Sequence, residues 1–143
     1  MRIAVRSGQF DEIHDGIQVF AAFEGEQKFE RLLPAVSARD QALGRLVANA
    51  GFRGAAHETV FLPHKHRWVL VVGLGKAKDF SLEKVRQFAG TAARTIRARG
   101  QRALSLPVLN DRVLGSAEGV AHALVEGVLL GLYRYDKLKE VPK

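Results

Sequence analysis

Cysteine is absent from the 143-residue chain, so a thiolate nucleophile, a thiolate zinc site and a disulfide framework are excluded. Any chemistry must then come from oxygen or imidazole groups, and three arrangements offer it. His64 and His66 flank Lys65, and alternate positions on an extended strand point the same way, as two metal ligands require. No neighbouring carboxylate completes the set, and Lys65 and Arg67 would repel a cation, which favours a solvated hairpin turn. Glu118, His122 and Glu126 recur at every fourth position and share one helix face, a carboxylate–imidazole–carboxylate row. A catalytic or metal-binding row would need partners from elsewhere, so surface ion pairing is the favoured reading. The run from Val69 to Lys76 ends in Gly73-Leu74-Gly75, a strand feeding a glycine turn, where backbone amides can cradle phosphate. A dinucleotide fingerprint would place a third glycine where Lys78 stands, and the Gly-Lys-Ser/Thr ending of a P-loop is missing, which favours a structural tight turn.

The charge pattern raises a different chemistry. The chain carries 22 Lys and Arg against 15 Asp and Glu, a net charge of +7. Residues 76–102 hold eight basic and two acidic side chains, so +6 of the excess lies in one short stretch. On a helix turning about 100° per residue, Arg86, Arg94 and Arg97 fall on one flank, with Lys76, Lys78 and Arg102 at the ends. These six could contact nucleic-acid phosphates without reading sequence, a DNA-binding alternative; the stretch lacks a series of aromatics interleaved with its basic residues for stacking on bases.

The elements that must position these groups follow from periodicity. Apolar residues make up 47% and charged residues 26%, the balance of a soluble globular chain, and the length suits a single domain spanning 1–143. No apolar run is long enough to span a bilayer, and the start lacks a signal-peptide pattern, which together imply a cytoplasmic protein. Strands are expected at Arg2–Arg6 and Ile17–Phe23. A capping box at 37–40 opens a helix with apolar Ala42, Leu43, Leu46, Val47 and Ala50, stopped by Gly51. Thr59–Leu62 and Trp68–Val72 form a hairpin around residues 63–67. Ser81 caps a helix to about Arg99, whose stripe is Leu82, Val85, Ala89, Ala92 and Ile96, and Gly100 closes it. Ala103–Leu109 is a strand at a sheet edge, or one ending at Leu106, because Pro107 cannot donate to a ladder. A last helix spans Ser116–Tyr133. The order ββαββαβα predicts a three-layer α/β fold with a mixed sheet flanked by helices.

That last helix is too apolar for one wet face. Ala117, Val120, Ala121, Leu124, Val125, Val128, Leu129, Leu130 and Leu132 cover more than one stripe. A sheet would cover one side. Leu129 and Leu130 are then expected either to meet another domain or subunit or to be covered by loops of this chain.

Residues 51–54, Glu58–Pro63 and Trp68–Lys76, with the alanine-rich helix after Ser81, resemble the N-terminal domain of the leucyl aminopeptidase family, the M17 cytosol aminopeptidases. The closing segment from Glu126 to Lys139 is similar to the family's Glu-Gly-x-x-Leu-Gly-x-Tyr-x-Phe/Tyr-Asp-x-Tyr-Lys string, with Leu138 in place of the usual aromatic. The resemblance implies a macro-domain-like fold and a linker-like tail at Tyr133–Lys139. It further implies a homohexameric parent in which Leu129, Leu130, Tyr133 and Tyr135 serve a domain or subunit interface. The family's two divalent metals, zinc or manganese, belong to a C-terminal catalytic domain with an Asn-Thr-Asp-Ala-Glu-Gly-Arg motif that does not occur here. No catalytic or metal residue carries over. The implied role is a non-catalytic one in assembly and substrate access.

Overall fold

The computed structural model describes residue 3 and residues 16–25, 41–109 and 112–139. Its elements are β1 (Ile17–Ala22), α1 (Gln41–Asn49), β2 (Thr59–His64), β3 (Arg67–Gly73), α2 (Leu82–Ala98), β4 (Leu104–Ser105) and α3 (Ala117–Lys139). The sheet order is β2-β3-β1-β4, with β1 parallel to both β3 and β4 and β2 antiparallel to β3. It is the mixed sheet expected from the element order. The expected first strand lies outside the described residues except for Ile3, which belongs to no strand, and the 37–40 capping box lies outside them entirely.

The central strands are apolar over residues 19–22 and 69–72 because both faces of the sheet are covered there. Val19 and Ala21 of β1 line up with Leu70 and Val72 of β3 and pack on the side of α2 and α3. The alternate set, Phe20, Ala22, Val69 and Val71, packs with Leu43 and Val47 of α1. Two layers of helix therefore enclose the sheet. Of the five apolar residues expected to anchor α1, only Leu43 and Val47 are buried; Ala42, Leu46 and Ala50 are exposed, so the helix contacts the sheet along a narrow stripe.

The helix ends follow the sequence closely. The Ser81 hydroxyl accepts from the Lys84 amide at 3.3 Å, filling one of the orphan donors at the start of α2. Gly51 and Gly100 both adopt positive φ, and the amides that follow them turn back to Val47 and Ile96. Such a reversal satisfies the last carbonyls of a helix. The expected strand around Ala103–Leu109 shrinks to the short edge strand β4, which ends before Pro107.

α3 departs from expectation in two ways. It runs on to Lys139, so the segment expected as a linker-like tail is helical. Its chief neighbour is α2 rather than the sheet. The cause is glycine: a Cβ at Gly131 would lie 2.8 Å from the Gly90 Cα, and one at Gly127 would strike the backbone of Arg86. The two helix backbones touch there, with no side-chain layer between them. Among the described residues no helix is long and apolar enough to cross a membrane.

Candidate functional site

The glycine turn after β3 is occupied by the chain itself. The Gly73 amide donates to the Glu58 carbonyl at 2.7 Å, Leu74 to Ala22 at 2.9 Å and Gly75 to Gly54 at 2.9 Å. These amides are spent on holding the 53–58 loop and the end of β1, which leaves none of the three to cradle a phosphate. The loop is tied down in turn. The Glu58 carboxylate accepts from the amides of Arg53 and Ala55, each at 3.1 Å, and His57 Nδ1 lies 2.9 Å from the buried Thr91 hydroxyl. A tight turn is what the structure shows.

His64 and His66 do not share a strand face. His64 ends β2, whereas Lys65 and His66 form the two-residue turn itself, with φ of 50° and 68°. Among the described residues no group of three or more His, Asp or Glu could hold a metal ion. The residues present therefore do not fit the metal pair that the family resemblance assigns to a catalytic domain. Glu118, His122 and Glu126 are all exposed on α3, and Glu126 lies 3.7 Å from the Arg86 guanidinium, an ion pair between helices.

The six basic residues expected to contact phosphates are divided. Lys76 and Lys78 are exposed before the start of α2, and Arg102 is exposed past its end. The 17 residues of α2 separate the two groups by about 25 Å at 1.5 Å per residue. Between them, Arg86 is half-buried, 3.4 Å from Glu83 as well as paired to Glu126. Arg94 is half-buried against Thr91 at 3.4 Å, and Arg97 is exposed. Arg86 and Arg94 thus flank the α2–α3 seam, while the other four stand near the two ends of α2.

Three of the four residues singled out on α3 share its outward side. Leu129, Leu130 and Tyr133 are 48%, 54% and 64% exposed. Tyr135 belongs to the same helix, its side chain outside the described residues. At 100° per residue Leu129, Leu130 and Tyr133 continue the face that carries His122 and Glu126, whereas position 135 falls on the opposite side of the helix. The outward face is therefore polar through the first turns and apolar over residues 129–133.

One cluster escaped the sequence reading. Phe61 of β2 and Trp68 of β3 stack with ring centroids 5.0 Å apart and planes 8° from parallel, and the Arg99 guanidinium lies 4.5 Å over the Phe61 ring. Trp68 is 51% exposed. A turn placed at 65–66 pairs Pro63 with Trp68 and sets Phe61 diagonally across on the same face, a signal that hairpin register alone carries.

A mixed sheet between helix layers defines a macro-domain-like α/β fold. The macrodomain of Thermus aquaticus DarG superposes with a TM-score of 0.57 at 13% identity, covering 85% of this chain and 87% of that one. Residues 19–142 match the profile of the cytosol aminopeptidase family, N-terminal domain, and the chain belongs to that family. Probable cytosol aminopeptidases of Rhodococcus opacus and Trichodesmium erythraeum are 40% and 32% identical over 68% and 71% of the chain. The chain spans only 18% and 21% of those two relatives. Among solved structures, a mutant tomato leucine aminopeptidase matches with a TM-score of 0.64 at 23% identity, over 88% of this chain and 27% of that one. The bottromycin maturation enzyme BotP matches at 0.58 and 28% identity, over 87% and 25%.

Proposed function

We propose that this chain is the non-catalytic N-terminal domain of a cytoplasmic two-metal leucyl aminopeptidase, serving assembly of a homohexamer and access of substrate to the C-terminal catalytic domain. One observation carries the reading: the outward face of α3 changes from Glu118, His122 and Glu126 to the exposed Leu129, Leu130 and Tyr133. A helix with one partner has no need of three large apolar residues on its solvent side. An apolar stretch at residues 129–133, bounded by charged positions on both sides, supports coverage there by a further domain or subunit. The length of the relatives supports the same view, since most of their sequence lies outside the region matched here. Zinc or manganese would be held by that remaining part, because two metals close enough to activate water need several carboxylates between them.

Two measurements test this. The 143-residue chain, supplied with manganese and leucine p-nitroanilide, is expected to release no p-nitroaniline, and measurable turnover overturns the non-catalytic assignment. Fused in frame to the catalytic part of a cytosol aminopeptidase, the wild-type chain is expected to sediment as a hexamer. The Leu130→Asp/Tyr133→Asp variant is expected to shift that fusion to smaller species, and an unchanged hexamer overturns the role of α3 in assembly.

A further inference from the structure

We propose that the corner formed by the β2–β3 hairpin and the C-terminal end of α2 binds single-stranded nucleic acid, with a base stacked on Trp68 and its phosphates beside Arg99 and Arg102. The basic stretch 76–102 carries cations but no exposed aromatic of its own; the fold supplies one from another part of the chain. β3 and α2 run in opposite senses, so the start of β3 meets the end of α2. Arg99 there lies on Phe61, which stacks with Trp68.

Three observations set the class of ligand. The Phe61 and Trp68 rings are almost parallel and the indole is half exposed, so a planar group can extend the stack. Residues 59–78 and 84–109, the two segments that meet at this corner, contain no Asp or Glu, and both are rich in Lys and Arg. Such a surface attracts negative charge in general, and the ring stack beside it favours a ligand that combines repeated planar rings with regular negative charge. A single strand has both, and its bases are free to leave their own stack, whereas the bases of a duplex are not. The corner is also open: Trp68 and Arg102 lie on the surface. Binding without strong sequence preference follows. This corner is distinct from the apolar end of α3, so the two readings fail independently.

The chain supplies its own reporter, because Trp68 is its one tryptophan. Titrating the wild-type chain at low salt with a fifteen-nucleotide oligothymidylate is expected to quench Trp68 fluorescence. The affinity is expected to fall with salt at a slope of about −0.7 per phosphate neutralised. Tripolyphosphate and a duplex of equal length are expected to leave the emission nearly unchanged. Arg99→Gln is expected to weaken binding about fivefold or more, the lower range for loss of one stacked base. Lys76→Gln removes the same charge at the other end of α2 and should change the affinity less than about twofold, as a distant screened charge does. Trp68→Phe, followed by anisotropy of a labelled oligonucleotide, is expected to retain most of the affinity, and Trp68→Leu to lose it while keeping the wild-type circular dichroism spectrum. Absence of quenching at low salt, equal quenching by tripolyphosphate or duplex, or equal effects of Arg99→Gln and Lys76→Gln would each overturn the proposal.

Discussion

On its inner side α3 lies against α2 with glycine on both helices, and at Gly127 and Gly131 not even a methyl group fits. On its outer side the same helix presents Leu129, Leu130 and Tyr133 to the surface. The inner side is a geometric constraint, where the absence of a side chain is the information. The outer side tolerates any side chain as far as this fold is concerned, and its apolar residues need a reason outside the fold. The contrast also separates arginines that look alike in sequence. Arg86 and Arg94 flank the closed seam and engage groups on α2 and α3, whereas Arg99 engages an aromatic ring on the surface of the hairpin.

Substitutions can break this contrast in order of expected effect. Gly127→Val places branched carbon on the Arg86 backbone and is expected to cost about 3 kcal/mol or more, read as a drop in urea midpoint with unchanged slope. Wild-type stability would show that α3 can lift off α2. Gly131→Ala adds a single methyl 2.8 Å from the Gly90 Cα and is expected to cost about 1–3 kcal/mol by the same measurement. A double-mutant cycle on Arg86 and Glu126 is expected to give a coupling of at most about 1 kcal/mol, since Glu126 is exposed, Arg86 only half-buried, and the two are 3.7 Å apart. Raising the salt should shrink it further. Leu130→Asp on the outer side is expected to move the stability of the chain by less than about 0.5 kcal/mol. A loss as large as that of Gly127→Val would place Leu130 inside the fold and erase the contrast.

Much of this arrangement was legible in the sequence, for physical reasons. The run of residues 69–72 has no polar position, which only a strand covered on both faces tolerates, and Ser81, Gly51 and Gly100 stand where helix ends need them. The ladder-blocking Pro107 marked the edge strand correctly. The seam was not legible, because glycine in a helix reads as a weak helix former, and only the facing backbone shows that Gly90, Gly127 and Gly131 meet. The tail at 133–139, linker-like by resemblance to the family, is helical. The six candidate phosphate contacts were legible as a charge excess, but periodicity placed Arg86 and Arg94 on a flank without revealing that α3 lies along it. Phe61, Trp68 and Arg99 come from three elements, and charge counting along the chain cannot bring them together.

The direct contact between the two long helices has a mechanical consequence. Side chains between helices act as a compliant layer, because they change rotamer and absorb small displacements. At Gly127 and Gly131 that layer is missing. α3 has 23 residues, about 35 Å at 1.5 Å per residue, and it behaves there as a stiff lever bolted to α2. A push on Tyr133 passes within two residues to the backbone of α2, whose inward side is part of the core beneath the sheet.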